Sequence, residues 1–208
     1  MDRDGIPFIL ATLVISAILF IVYLRSNSIT HLTISYISFL FFLAFLFFFR
    51  DPDRRVPEGD SIIVAPTDGR IIDIQQDESG KSVSVFLSFL DVHVNRIPVA
   101  GTVTDIRKKG GSYFAAYSDK ARTMNAAIET DIETPFGKVT IRQVVGFMAR
   151  RLINRLKVGD EVFCGQRFGM IRFGSRIDLL LPSSAVVKVS MGKKIKGGSQ
   201  VIGEFDNG

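Results

Sequence analysis

A serine hydroxyl sits within reach of the peptide carbonyl that precedes it, and a tight turn can press the two together. Gly174-Ser175, in the stretch Arg172-Phe173-Gly174-Ser175-Arg176-Ile177-Asp178, offers that pairing. Glycine puts no side chain in the path of attack and tolerates a strained backbone. Attack by Oγ of Ser175 moves the Gly174 acyl group from nitrogen to oxygen. The ester so formed is a leaving group β to an acidic Cα–H. Elimination then frees Gly174 as a new C-terminus, and the dehydroalanine left at 175 hydrolyses to a pyruvoyl group. Chemistry run on that carbonyl needs no metal site and no bound coenzyme. The hydroxyl needs a base. His93 is the only histidine after Arg50, and imidazole titrates near neutrality. Asp68 can orient it, which makes a Ser-His-Asp set in the protease sense. Each residue also has a plainer reading. Gly-Ser can be a hairpin turn, His93 a hydrogen-bonded histidine between strands, and Asp68-Gly69 a turn signal. The residues alone leave these alternatives open.

The rest of the chain must position this set. With 208 residues there is room for one ordinary domain and an appendage. Hydrophobic residues make up 47% of the chain. The excess is concentrated before Arg50, so an N-terminal segment carries it. Cys164 is the only cysteine. That excludes an internal disulfide and a cysteine-based zinc site, fits a reducing compartment, and reads as a small packed side chain. The net charge of +5 admits nucleic acid or anionic membrane as partner. The part after Arg50 lacks clustered aromatics interleaved with basic residues, which argues against nucleic acid.

Ile6 to Leu24 is nearly unbroken apolar sequence, long enough to cross a bilayer as a helix. A second run, Leu32 to Phe49, follows the polar stretch 25–31. One continuous helix would bury Arg25, and an arginine at mid-membrane costs at least about 2.5 kcal/mol. A helical hairpin keeps Arg25, Asn27 and a solvated His31 in water. A cleaved signal peptide fits poorly, because Met1-Asp2-Arg3-Asp4 has no net positive charge and a second apolar run comes at once. The hairpin, residues 1–50, anchors the chain in the cell membrane. Arg50, Arg54 and Arg55 outnumber Arg25, which puts residues 51–208 on the cytoplasmic side. Ser35, Tyr36 and Ser38 in the second run leave a shallow monotopic hairpin as the alternative.

From Asp51 the pattern becomes short β-type runs separated by Gly, Pro and Asp: residues 61–65, 70–74, 82–86, 138–142 and 185–189. This predicts a mainly β domain of β-sandwich or barrel-sandwich type with minor helices, at 113–124 and 147–156. Two internal repeats support it. Pro66-x-x-Gly69-x-Ile71-x-Asp73-Ile74 recurs as Pro98-x-x-Gly101-x-Val103-x-Asp105-Ile106, and Gly159-x-x-Val162-x-x-Gly165-x-x-Phe168 recurs as Gly192-x-x-Ile195-x-x-Gly198-x-x-Val201.

Four motifs stand in order along the chain: Phe48-Phe49-Arg50-Asp51-Pro52-x-Arg54, Ala65-Pro66-Thr67-Asp68-Gly69, residues 89–98 (Phe-Leu-Asp-Val-His-Val-Asn-Arg-Ile-Pro), and residues 167–176 through Gly174-Ser175. Together they resemble the phosphatidylserine decarboxylase proenzymes in their short form, from about Phe48 to Phe205. Asp119-Lys120-Ala121 and residues 146–151 also fit. Some members have a second histidine where this chain has Arg96, and longer members often continue the Gly-Ser motif with threonine where this chain has Arg176.

The resemblance implies catalytic roles for Asp68, His93 and Ser175 and cleavage between Gly174 and Ser175. The β chain would end at Gly174 and the α chain begin at Ser175, the two staying together as a heterodimer or as a dimer of heterodimers. It implies a membrane phospholipid substrate and a pyruvoyl cofactor made from Ser175. The substrate amine would condense with that ketone as a Schiff base, lose CO2 into the electron sink, and be reprotonated, with His93 a candidate donor. Arg150, Arg151, Arg155 and Lys157 form a basic cluster near the second predicted helix, read either as an attraction for anionic lipid or as a solvated face. Two rivals remain. Asp119-Lys120-Ala121 matches the lysine tripeptide of lipoyl carriers, which would make Lys120 a modification site. A membrane-anchored, non-catalytic scaffold predicts an intact chain.

Overall fold

The computed structural model describes residues 1–77, 80–147, 151–172 and 175–206. The chain forms two compact units, 1–52 and 53–208. In the first, α1 (Ile6–Ser26) and α2 (Ile29–Phe48) are joined by Asn27, whose left-handed φ of 51° ends α1 and reverses the chain. Both helices are long and apolar enough to cross a membrane. Of the three polar residues of α2 that suggested a shallow hairpin, Ser35 and Ser38 are spent on α1, while Tyr36 stays exposed. Ser35 Oγ donates to the Ser16 carbonyl at 3.1 Å, Ser16 Oγ to the Ser35 carbonyl at 3.3 Å, and Ser38 Oγ to the Thr12 carbonyl at 3.4 Å. Hydroxyls that bond a neighbouring helix in this way are compatible with lipid around the pair. His31 Nδ1 lies 2.8 Å from Ser26 Oγ across the turn.

The second unit is mainly β. Its strands are β1 (Ile62–Val64), β2 (Gly69–Asp77), β3 (Gly80–Leu87), β4 (Val94–Arg96), β5 (Gly101–Lys109), β6 (Ala127–Thr134), β7 (Gly137–Val144), β8 (Leu152–Asn154), β9 (Glu161–Val162), β10 (Arg167–Ile171), β11 (Ser175–Leu181), β12 (Ala185–Val187), β13 (Lys194–Ile195) and β14 (Val201–Phe205). An eight-stranded sheet runs β13-β2-β3-β11-β7-β6-β5-β9, and two three-stranded sheets run β1-β14-β12 and β4-β10-β8. One face of the large sheet supplies the core. Val83, Val85 and Leu87 of β3 meet Ile177, Leu179 and Leu181 of β11 and Val139 and Ile141 of β7, all buried. Alternate residues of each strand face the other way.

The repeats of the sequence are copies of one substructure. β2 and β5 both shift register at the same place, between Ile71 and Asp73 and between Val103 and Asp105. Gly192 N–H donates to the Ile71 carbonyl and Gly159 N–H to that of Val103, each at 2.8 Å; Gly198 N–H reaches Ala65 and Gly165 N–H reaches Ile97, again at 2.8 Å. β1-β14-β12 is matched by β4-β10-β8, with Gly203 and Gly169 at corresponding places. A Cβ at either glycine would strike a carbonyl of the next strand, at 2.6 Å from Val186 and 2.1 Å from Ile153.

Among the described residues, the first predicted helix is shorter and the second is not formed. The first begins only at Asp119 and ends at Met124 (α3). In the second, Leu152–Asn154 is strand β8, because pairing with β10 supplies ladder partners that a local helix would forgo. Arg151, Arg155 and Lys157 therefore share no helix face, and Arg150 lies outside the described residues.

Candidate active site

Ser175 opens β11 at one rim of the large sheet, where β3 and β7 end and β2 and β6 begin. It pairs with Leu87, the last residue of β3. Gly174 lies outside the described residues. Ser175 is fully buried, and its Oγ has no hydrogen-bond partner among the described residues. A buried hydroxyl without a partner is costly. That cost removes one obstacle to converting residue 175 into something without a hydroxyl.

Beyond Leu87 the chain turns through Ser88–Asp91. The Asp91 carboxylate accepts from Ser88 N–H at 2.8 Å and from Ser88 Oγ at 2.6 Å. The turn delivers His93, fully buried, whose carbonyl meets Ile171 N–H at 3.4 Å. His93 is thus tied to Leu87, the register partner of Ser175, through the turn, and to Ile171 of β10 by its carbonyl. Its Nδ1 is 2.9 Å from the Asp91 carbonyl oxygen. A carbonyl only accepts, so Nδ1 carries the proton and Nε2 is the basic nitrogen. Nε2 is sealed from solvent.

Asp68 stands just before β2 on the same rim, but its bonds go elsewhere. Its carboxylate takes Arg54 at 2.9 Å and the Gly197 N–H at 2.8 Å. A Cβ at 197 would lie 2.8 Å from Thr67 Cα, so glycine permits that approach. The orienting contact expected of Asp68 on His93 is made instead by the Asp91 main chain.

Two polar groups escaped the sequence reading. Asn95 and Gln143 are buried and joined, Gln143 Nε2 donating to Asn95 Oδ1 at 2.8 Å and to the Ile153 carbonyl at 3.2 Å. Asn95 Nδ2 in turn donates to the His93 carbonyl at 3.2 Å. Gln143 pairs with Ile177 on β11, so its side chain faces the same side of the sheet as Ser175. On the opposite face, Arg176 Nε donates to Asp178 and its NH2 to Ser84 Oγ at 2.8 Å, with both charged side chains buried. That network pins the start of β11. Asn95 and Arg176 stand within quoted motifs, but Gln143 is distant in sequence and Arg176-x-Asp178 reads as ordinary strand alternation, so no local signal announces either pairing.

The remaining candidates read plainly. Burial pushes the Cys164 thiol up to about 11, leaving it protonated and inert at neutral pH. Lys120 lies in the short helix α3, with its ammonium 5.8 Å from the Phe114 ring. A carrier lysine needs the tip of a β-hairpin, and this one does not have it.

Comparison with known proteins adds an independent line. The phosphatidylserine decarboxylase family profile matches residues 41–203. A phosphatidylserine decarboxylase proenzyme from Chlorobaculum tepidum is 41% identical over 170 residues, covering 79% of each chain. One from Pelodictyon phaeoclathratiforme is 39% identical over 206 residues, covering 96% of this chain and 95% of that one. One from Anaplasma phagocytophilum is 43% identical over 169 residues, covering 77% and 74%.

Proposed function

The chain belongs to the phosphatidylserine decarboxylase family, and we propose that it cuts itself between Gly174 and Ser175 and then decarboxylates phosphatidylserine to phosphatidylethanolamine. The observation that carries the reading is Ser175 Oγ, buried and without a hydrogen-bond partner among the described residues, on the rim that also holds His93. In the cut, His93 Nε2 takes the Ser175 hydroxyl proton as Oγ attacks the Gly174 carbonyl. The C–N bond breaks as the ester C–O bond forms, and the proton passes to the departing nitrogen. Removal of the residue 175 Cα proton then expels the Gly174 carboxylate. Water adds to the resulting enamine, ammonia leaves, and a carbonyl remains at 175. A pyruvoyl group there supplies an electron sink for the charge left by loss of CO2.

The chain's own groups do the rest. Asn95 and Gln143 hold the His93 segment against the sheet that carries β11. Asp68 belongs to the same functional set; through Arg54 and Gly197 it ties the rim to the chain beyond the cut. The piece from 175 to 208 contributes β11 to the middle of the large sheet, between β3 and β7. Seven backbone register pairs with β3 and a buried apolar face favour the two pieces staying together after cleavage. The helical hairpin anchors the unit at the bilayer, with the catalytic unit on the cytoplasmic side by the excess of Arg50, Arg54 and Arg55 over Arg25.

Intact mass spectrometry of the purified chain, with and without hydroxylamine, tests this. Two pieces meeting at 174/175, the smaller one shifting in mass with hydroxylamine, are the expected result. Ser175→Ala stays a single chain near 23.1 kDa. A wild-type chain that remains whole overturns the reading in favour of a scaffold.

A further inference from the structure

The unit 53–208 does not spread its exposed aromatic side chains evenly. Among its described residues, six Phe and Tyr side chains are exposed: Phe89, Tyr113, Phe114, Tyr117, Phe147 and Phe163. Five of the six lie on connections at one rim of the large sheet. Phe89, together with the 67% exposed Leu90, tips the turn between Leu87 and His93. Phe147, 73% exposed, follows the end of β7. Tyr113, Phe114 and Tyr117 belong to the excursion 110–126, which leaves β5 and enters β6 at that rim. It is the rim on which Ser175 begins β11. The sixth, Phe163, follows β9, which pairs with Gly101 and Thr102 where β5 starts, at the opposite rim. At that end Phe136 is turned inward and stacked on Phe205, with ring centroids 4.7 Å apart.

From this placement we infer that the Ser175 rim is a membrane-docking surface: Phe89, Leu90 and Phe147 enter the interfacial layer of a phospholipid bilayer, so that the catalytic residue opens toward lipid and not toward water. Aromatic rings with an apolar body and a polar neighbourhood are the side chains that settle at this depth. Exposed cations border them: Lys108 at the end of β5, Lys120 in α3, and Arg151, whose carbonyl meets Arg172 N–H at 3.4 Å. Apolar tips on a rim that also carries exposed cations fit the anionic face of a bilayer and not a polar protein partner. The inference rests on the lipid-decarboxylase reading above, because a buried nucleophile acting on a diacyl lipid must take its head group without drawing the acyl chains through water.

The chain contains no tryptophan, so one introduced indole reports on one place. Phe89→Trp, Phe147→Trp and Phe163→Trp are made in the full chain. Each is reconstituted into phosphatidylcholine–phosphatidylglycerol vesicles in which part of the lipid carries brominated acyl chains. Phe89→Trp and Phe147→Trp are expected to be quenched by the brominated chains. Their quenching by aqueous iodide should be about threefold or more weaker than that of Phe163→Trp, as for a side chain seated in the interface. Equal iodide access at all three positions, or equal bromine quenching at all three, overturns the inference. The intact mass of the same samples keeps the two readings separate. A chain that cleaves but leaves positions 89 and 147 open to iodide sinks the docking surface alone, and a chain that never cleaves sinks the function.

Discussion

The two copies of the repeated substructure share their turns, bulges and glycine contacts, and differ in a handful of buried side chains. β1 carries Ile63 and Val64 where β4 carries Asn95 and Arg96, all four buried. Ser61 precedes one as His93 precedes the other. The turn before β2 holds Asp68, and the matching turn before β5 holds Ala100. The contact from Asp68 to Gly197 has Ala100 and Cys164 in the corresponding places, where the thiol donates to the Pro98 carbonyl instead. Since the matching position in the other copy holds Ser61 for His93, Ile63 for Asn95 and Ala100 for Asp68, the repeated backbone itself requires none of the three. Burying a polar group costs desolvation free energy that its hydrogen bonds must offset. That cost is incurred on the Ser175 rim, and the matching positions elsewhere are apolar or small. The carboxylate of Asp68 is not needed to make its turn, because Ala100-Gly101 makes the equivalent turn without one.

Substituting matched positions in the two copies can break this comparison. The largest contrast is expected between His93→Ala and Ser61→Ala. Loss of a general base costs about 10²- to 10⁴-fold in rate, so His93→Ala should leave mostly uncut chain over hours in which the wild type completes cleavage. Ser61→Ala should cleave at the wild-type rate. A time course of intact mass reads both, and normal cleavage by His93→Ala would remove the histidine from the cut. Next comes Asp68→Ala against Ala100→Asp. The first removes a largely buried carboxylate from Arg54 and from the Gly197 N–H, costing about 2 kcal/mol, and should slow cleavage about tenfold or more. The second adds a carboxylate at an exposed position and should change stability by less than about 0.5 kcal/mol. Thermal melting in detergent beside the cleavage assay separates the two effects. A harmless Asp68→Ala would reduce that carboxylate to decoration.

Much of this architecture could be read from residue order. The apolar hairpin, the β-type runs and both repeats were visible because periodicity and glycine spacing are local properties. Ser175, His93 and Asp68 stood out for their chemistry and for the ordered motifs around them. Three things were hidden, each for a physical reason. Residues 147–156, with their Met, Ala, Leu and Arg, suit a helix, and only pairing with β10 makes Leu152–Asn154 a strand. The bond from His93 Nδ1 goes to a main-chain carbonyl, which no side-chain pattern announces. Asn95 and Gln143 meet across two sheets, and nothing in either neighbourhood predicts the pairing.

The finest test concerns Asn95, for which the matching strand already supplies the alternative. Asn95→Ile installs the residue that β1 uses at Ile63, on a backbone that accepts it there. The variant loses the bond to the His93 carbonyl and one of the two acceptors of Gln143 Nε2, but gains apolar burial. The two changes should nearly cancel, leaving stability within about 1.5 kcal/mol of wild type. Cleavage should slow by about tenfold, because the segment that aims His93 is no longer fixed. Ile63→Asn should do the reverse. It buries an amide where the other copy offers no partner and costs about 3 kcal/mol, while any molecules that fold cut themselves at the normal rate. If Asn95→Ile instead lowers stability as much as Ile63→Asn does, with cleavage unchanged in the folded fraction, then Asn95 serves the fold. The difference between the two copies would then reflect packing around Gln143 and not the placing of a base.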